Sequence, residues 1–345
     1  MSAEEDQDRA VATLRRIAFL LERAQATSYR SEAYRAAART VEREDGRRLR
    51  TLAAAGALSD LPAVGARTAE VVSRALAGRP VPTLDELEDE AAAQDATLSP
   101  AAAALHAALR GDLHSHTDAS DGAAPVQEMV LAELELGRDY LAVTDHSPRL
   151  TVAHGLSAAR LRAQLDQLAA LGPAVAPFRV LCGIEVDILE DGTLDQDPDL
   201  LDRLDVVVAS VHSQLRMDRA AMTRRMVAAV RDPDTDVLGH CTGRRVLGKQ
   251  RPASEFDARA VFDACAEHGV AVEINCRPDR LDPPHDLLQV AVDAGCDFSI
   301  DSDAHAPGQL DWLRTGCERA AAHGIGADRV LNTRPASQVA RRGKG

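Results

Sequence analysis

Residues 111–122 read GDLHSHTDASDG, with His114 and His116 separated by one serine and Asp121 five residues further on. Imidazole nitrogens combined with carboxylate oxygens suit Zn²⁺, Mn²⁺ or Fe²⁺ rather than Ca²⁺. An extended chain repeats every two residues, so His114 and His116 face the same way if the segment is a strand. Asp303 and His305, in DFSIDSDAH, have the same spacing. His146 closes YLAVTDH, His212 closes DVVVASVH, His240 closes DVLGH, and Glu185 sits inside FRVLCGIEVDI. Six of the eleven histidines (114, 116, 146, 212, 240 and 305) fall at the ends of such apolar runs; the other five (106, 154, 268, 285 and 323) fall in helical or loop segments. A single histidine at a strand end is usually a hydrogen-bonded structural residue. Six of them point to a metal site.

These side chains need elements that bring them together. Seven short β-branched runs (the six containing these residues, and VAVEINC) alternate with amphipathic stretches such as SAARLRAQLDQLAAL and FDARAVFDACAEHG. Strands separated mostly by helices predict an α/β parallel sheet, either open or closed as a barrel. In a parallel barrel the carboxy ends of the strands share one rim, where residues distant in sequence converge. The first 110 residues read as all-helical. VATLRRIAFLLERA places Val11, Leu14, Ala18 and Leu21 at helical spacing, and RRLRTLAAAGALSDLPAVGARTAEVVSRALAGR reads helix, tight turn, helix. Gly56 and Gly78 suit carboxy-terminal caps, and Pro62 and Gly65 mark the turn.

The totals narrow the classes. A chain of 345 residues with 45% apolar and 27% charged residues is an ordinary globular composition. A net charge of −14 argues against a general nucleic-acid or membrane surface over the whole molecule. The start, MSAEEDQDRA, lacks the basic-then-apolar pattern of a signal peptide, and no apolar run approaches the roughly 20 residues that span a bilayer. Cys182, Cys241, Cys265, Cys276, Cys296 and Cys317 show neither a C-x-x-C pair nor a disulfide framework. Reduced thiols and a cytoplasmic location are expected.

The ordered strings HSHTDASDG, VTDH, GIEVDILEDG, SVH, LGH, EIN and DSDAH resemble the polymerase and histidinol phosphatase (PHP) family over residues 111–335. The resemblance is greatest to the PHP domain at the end of bacterial family X DNA polymerases, with GIEVDILEDGTLD, LGHCTGR (Cys241 standing where proline is usual), EINCRPDRLD and DSDAH. It implies a distorted seven-stranded barrel holding three ions of manganese, zinc or iron. Carried over by position, His114, His116, Glu185 and Asp303 would hold one ion, and Asp121, His146, His212, His240 and His305 would complete the cluster. Glu185, Asp303 and His240 are the implied catalytic residues, with Glu185 bridging two metals because a carboxylate offers two oxygens.

VATLRRIAFLLERAQATSYRSEAYRAAA is similar to the first helices of the small amino-terminal domain of those polymerases, and LPAVGART to the turn of a helix-hairpin-helix motif. The amides of Gly65, Ala66 and Arg67 at a helix amino terminus would then form an anion site for the DNA backbone. Ala63 stands where that motif usually has glycine. Residues 9–79 hold 14 arginines against 7 acids. The expected organisation is a helical domain over 1–100, a linker helix over 101–110, the PHP domain over 111–335 and a disordered tail over 336–345. Residues 80–110 are too few for the nucleotidyl-transferring region of the polymerases, so DNA synthesis is not expected. Residues 1–110 contain no lysine, and arginine cannot form the Schiff base of a lyase.

The chemistry expected is metal-assisted phosphoester hydrolysis, in which cations lower the pKa of a water and neutralise charge on the transferring group. Arg244, Arg277 and Arg280 follow the fifth and sixth strands and could grip phosphate, or pair with Asp279 or Asp282 instead. Asn275 could hydrogen-bond a ligand or simply satisfy backbone. His154 could enter from a loop or lie on the surface. The preferred substrate is DNA, through a 3′–5′ exonuclease or end-processing activity in repair, with backbone grip from the helical domain. A histidinol-phosphatase-like phosphomonoesterase acting on a small metabolite is the alternative. The third possibility is a non-catalytic DNA-binding scaffold with structural metals.

Overall fold

A computed structural model describes residues 2–26 and 28–340. The chain divides into two compact units, Met1–Thr97 and Leu98–Gly345. Among the described residues no helix is long and apolar enough to cross a membrane. None of the six cysteines is paired, and all but Cys182 are buried.

The first unit is helical: α1 (Ala3–Arg23), α2 (Ser28–Arg43), α3 (Gly46–Ala55), α4 (Ala66–Leu76) and α5 (Pro82–Asp95). Helix α1 opens on a capping box between Ser2 and Glu5 and buries Ala10, Leu14, Ile17, Ala18 and Leu21 against the other helices. Asp45 caps α3, and Gly56 ends it in the left-handed conformation, as the sequence predicts. Ala63, in the turn before α4, adopts φ +59°. This region favours glycine by roughly 1–2 kcal/mol over a residue with a Cβ. Ala63→Gly is therefore expected to stabilise this unit by about 0.5–1 kcal/mol, part of the relief being offset by the freer unfolded chain; urea denaturation of the two proteins measures it.

The arginine excess of residues 9–79 is largely spent on ion pairs within this unit. Arg35 pairs with the buried Glu22 at 2.5 Å, Arg16 with Glu88 at 2.7 Å, and Arg23 with Asp95. Asp6 receives both Arg9 and Arg50. Several of these acids lie outside residues 9–79, and residues 1–97 as a whole carry 14 arginines against 17 acids.

The second unit is a nearly closed barrel. Its strands are β1 (Gly111–Asp112), β2 (Tyr140–Val143), β3 (Arg179–Asp187), β4 (Val206–Ser210), β5 (Val237–Leu238), β6 (Ala271–Asn275) and β7 (Phe298–Asp301). Each pairs in parallel with the next, and a parallel bridge between Ser115 and Ala304 links the two ends. All seven fall within the predicted runs. Alternation along the strands splits the apolar residues into two layers. Val206 and Val208 join Leu113, Tyr140, Leu181 and Ala271 in an inner cluster. Val207 and Ala209 join Ile184, Val272 and Ile274 in an outer one with the helices. The inner parity carries forward along each strand: Leu181 leads to Glu185 and Asp187, Val208 to His212, and Ala271 to Glu273 and Asn275. The strands thereby aim polar side chains at one mouth.

Two expected boundaries are corrected. The helix α6 (Pro100–Ala108) is no linker, because Ala102 and Leu105 are buried in the outer layer of the barrel and Arg138 donates to the carbonyls of His106 and Leu109. The segment after residue 335 is not disordered from its start: Ala336–Val339 forms a helical turn and Ala336 is buried against the inner cluster. Residues 341–345 of the expected tail lie outside the described residues.

Glu133, near the end of α7 (Val126–Glu135), is fully buried and neither carboxyl oxygen has a hydrogen-bond partner. Burial, helped by Asp112 and Asp311 and opposed by Arg138, pushes its pKa well above the usual range. The folded state then holds a proton that the unfolded state releases above about pH 4.5, so stability falls as pH rises from there toward the folded value. Glu133→Leu is expected to stabilise the chain by on the order of 1–3 kcal/mol at pH 8 and by less at pH 5, as read by denaturant midpoints at the two pH values.

Candidate metal centre

Glu185 lies in β3 with 1% of its surface exposed, and five imidazoles surround its carboxylate. Oε1 is 2.9 Å from His240 Nε2 and 3.2 Å from His212 Nε2. Oε2 is 2.8 Å from His146 Nδ1, 3.3 Å from His114 Nε2 and 3.5 Å from His116 Nε2. Asp303 Oδ1 lies 3.4 Å from His116 Nε2. Asp121 Oδ1 lies 3.4 Å from the Nε2 atoms of both His146 and His305. All nine residues singled out as ligands therefore meet at one barrel mouth. They form three overlapping groups, His116–Asp121–His146–His305, His114–His116–Glu185 and His146–Glu185–His212, each with donor atoms within 4.8 Å of one another.

The donor set fits divalent cations. His114 Nε2, His116 Nδ1 and Nε2, His146 Nδ1, His212 Nε2, His240 Nε2 and both oxygens of Glu185 are buried without a hydrogen-bond partner. Buried polar atoms are normally satisfied, so this many orphans converging on one point mark a place for ions. Ionisation agrees. Burial opposes charge on Glu185, yet His212, His114 and His146 hold its carboxyl well below the usual range. Burial likewise opposes charge on Asp303, and Arg277, His116 and Arg280 hold it low. Burial, with His305 and His146 alongside, keeps the pKa of His116 well down, leaving a neutral ring with a lone pair to offer.

Further residues orient these ligands. Glu273 Oε1 lies 2.5 Å from His114 Nδ1, so an Nδ1–H donated there leaves Nε2 free toward Glu185. Glu273 also accepts from the His240 backbone amide and from Asn275 Nδ2 at 3.2 Å. Asn275 donates to Asp303 Oδ2 at 3.1 Å, so it serves the site through the two carboxylates. Asp187 accepts from His212 Nδ1. Asp145 gathers Thr117 N at 2.8 Å, Thr117 Oγ1 at 2.6 Å and Gln164 Nε2 at 2.5 Å, and so fixes the HSHTDASDG loop. Sequence reasoning passed over Glu273, Asp187 and Asp145. The signal available was period two, since Asp187 follows Glu185 and Glu273 precedes Asn275 by two positions. Partners of this kind typically contribute 10–100-fold to metal affinity. Glu273→Gln is expected to weaken manganese binding by about tenfold or more, measured by titration with a competing chelator.

Asp303 itself adopts φ +52°, a left-handed conformation that Asp tolerates. Arg277 Nη1 stands 3.4 Å from Asp303 Oδ1 and 3.2 Å from His305 Nδ1, and its Nε reaches Asp279 at 3.2 Å. Arg280 Nε is 3.2 Å from Asp303 Oδ2. Both arginines line a cavity of about 600 Å³ that opens over Asp121, His146, His212, Asp303 and His305. Arg244 does not line it: its guanidinium donates to the carbonyls of Arg280 (2.9 Å) and Leu281 and ties two loops together. His154 is exposed on the surface. Gly65, Ala66 and Arg67 are exposed in the first unit, with Gly65 the amino-terminal cap of α4 and no side chain satisfying the free amides.

Residues 112–302, more than half of the chain, match the model of the PHP domain. The chain belongs to the PHP domain family. A Bacillus subtilis (strain 168) protein named DNA polymerase/3′-5′ exonuclease PolX is 38% identical over 231 residues, which are 67% of this chain and 40% of that protein. The chain thus spans well under two thirds of that PHP relative's length. A probable phosphatase of Thermoanaerobacter sp. (strain X514) is 27% identical over 233 residues, 64% of this chain and 89% of its own. The crystal structure of a histidinol phosphate phosphatase from Lactococcus lactis, complexed with zinc, L-histidinol and phosphate, superposes with a TM-score of 0.43 at 18% identity, covering 63% of this chain and 94% of that one.

Proposed function

We propose that this PHP protein is a metal-dependent phosphodiesterase that processes DNA 3′ ends. The coarser class, a metal-dependent phosphoester hydrolase, rests on family membership and on one observation above all: the unsatisfied nitrogen and oxygen donors gathered around Glu185. The nine residues would hold two or three ions of manganese, zinc or iron. Divalent cations bound there would supply Lewis acidity toward phosphoryl oxygens and lower the pKa of a water.

The chain's own residues prepare the rest. Glu273 and Asp187 accept at the Nδ1 atoms of His114 and His212 and so orient both rings with Nε2 toward Glu185. Asn275 holds Asp303 against Arg277 and Arg280, and those guanidiniums are placed to receive two phosphate oxygens from the cavity side. The arginines also balance negative charge that builds on a phosphoryl group in transfer.

The choice of DNA is supported by the greater identity to the relative named as an exonuclease. The unpaired amides at Gly65, Ala66 and Arg67 would add backbone grip from the helical unit. That unit contributes local contacts rather than a broad basic face, given its 17 acids against 14 arginines. The relatives named as phosphatases support a second reading, a phosphomonoesterase acting on a small metabolite.

Incubating manganese-loaded protein with 3′-labelled single-stranded and gapped DNA, and separately with histidinol phosphate, tests the choice. Shortening of the DNA with little phosphate release from histidinol phosphate is the expected result. The reverse selects the phosphomonoesterase. If neither is hydrolysed while His240→Ala still folds and binds DNA as wild type, the scaffold role replaces both.

A further inference from the structure

The cavity over the metal centre, at about 600 Å³, is far larger than a single phosphate group and falls in the range that holds a drug-sized ligand. Its cations form two tiers. The inner tier is Arg277 and Arg280, both engaged with Asp303. The outer tier stands on a hairpin after β5. Arg245 and Arg251 exchange backbone hydrogen bonds of 2.8 and 3.0 Å, and Arg251 Nε donates to the Gly243 carbonyl at 2.7 Å. The turn between them carries Lys249 just after Gly248, whose φ of +65° makes the reversal. Arg216, on the loop after β4, lines the same cavity.

Of these outer cations Arg245 reaches an acid, Asp279 Oδ2 at 3.7 Å. Among the described residues, the side chains of Arg216 and Lys249, both exposed, make no ion pair or hydrogen bond. Between the tiers Arg280 is 6% exposed; its Nε faces Asp303, while its Nη1 has no hydrogen-bond partner. Buried guanidinium donors left open cost free energy unless an acceptor arrives. Burial first, then the positive charges of Arg280 and Arg245, depress the pKa of Arg251, against the opposing pull of Asp279 and Asp282. The same cavity is also lined by the apolar Leu150, Ala153 and Val152, the last 86% exposed.

We propose that Arg216, Lys249 and Arg251 form a second phosphate subsite, separate from the metal centre, which receives the phosphate next to the scissile one in a nucleotide strand. The sugar and base between the two phosphates lie against Leu150 and Val152. This rests on the hydrolase reading above and narrows it, because a metabolite with one phosphate leaves the outer tier unmatched.

Thymidine 3′,5′-bisphosphate and thymidine 5′-monophosphate are the probes, titrated calorimetrically into the full-length, manganese-loaded protein. Wild type is expected to bind the bisphosphate about tenfold tighter or more, the return expected from one added charge-assisted phosphate contact. The double variant Arg216→Ala, Lys249→Ala removes that advantage while monophosphate affinity stays within about twofold, and Lys249→Arg alone keeps it. Both side chains are exposed, and unchanged circular dichroism checks that the variant folds. Equal affinities in wild type, or no binding of either probe, overturns the subsite. So does an advantage that survives the double variant, or a variant that weakens both probes alike. Hydrolysis is scored separately with p-nitrophenyl phosphate and an oligonucleotide. Failure of both substrates sinks the hydrolase reading; activity without a bisphosphate preference sinks the subsite alone.

Discussion

Glu185→Gln is expected to lower phosphoester hydrolysis on the order of 10³-fold and to lower bound metal, while the barrel stays folded. The carboxylate touches five imidazoles and is the acid that the Nε2 atoms of both His212 and His240 face. Glutamine keeps the volume but removes the charge and replaces one acceptor oxygen with a donor group. That NH₂ would point at nitrogens whose lone pairs are needed for ions. Losing one preorganised electrostatic group at a reacting centre commonly costs 10²–10³-fold, and here the loss falls on two donor groups at once. Elemental analysis of purified protein alongside turnover of p-nitrophenyl phosphate separates the effect from misfolding, provided the circular dichroism spectrum is unchanged.

The second large effect is on stability. Removing ions with a chelator is expected to abolish hydrolysis and to lower the unfolding midpoint of the chain by about 10 °C. Ions that bind only the folded barrel stabilise it by about 4 kcal/mol at a thousandfold excess over Kd, and each kcal/mol moves the midpoint of a domain this size by roughly 2–4 °C. Added manganese should restore both. In the ion-free chain, burial resists charge on His212 but Glu185 and Asp187 push its pKa up to about 9. Metal must displace that proton, so binding near pH 7 should release protons and tighten as pH rises toward 9. Calorimetry in buffers of different ionisation enthalpy reads the proton count directly.

Much of this candidate centre was legible in the sequence because most of its residues sit where an apolar run stops. His146, His212 and His240 each follow a short β-branched segment, and His114–His116 and Asp303–His305 show the period of two. The strands β2, β4, β6 and β7 fall inside the predicted runs because they are buried along their whole length and so read as largely apolar stretches. What was not legible depended on contacts across the barrel. Nothing local says that Glu273 meets His114 from 159 positions away, or that Arg244 spends its guanidinium on the carbonyls of the next loop. The arginine-rich look of residues 9–79 misled in a related way, since partners such as Glu88 and Asp95 lie outside that window and appear only when the helices pack. Ala63 is the converse case: a departure from the motif visible in sequence whose cost, φ +59°, only the backbone reveals.

Anomalous diffraction from crystals of the manganese-loaded protein, recorded on either side of the manganese edge, addresses the central claim most directly. Two or more peaks within coordinating distance of Glu185, contacted by the nitrogens of His114, His116, His146, His212 and His240, are the predicted result. A map with no peak at this mouth, or with manganese only at other surface acids, would contradict the account.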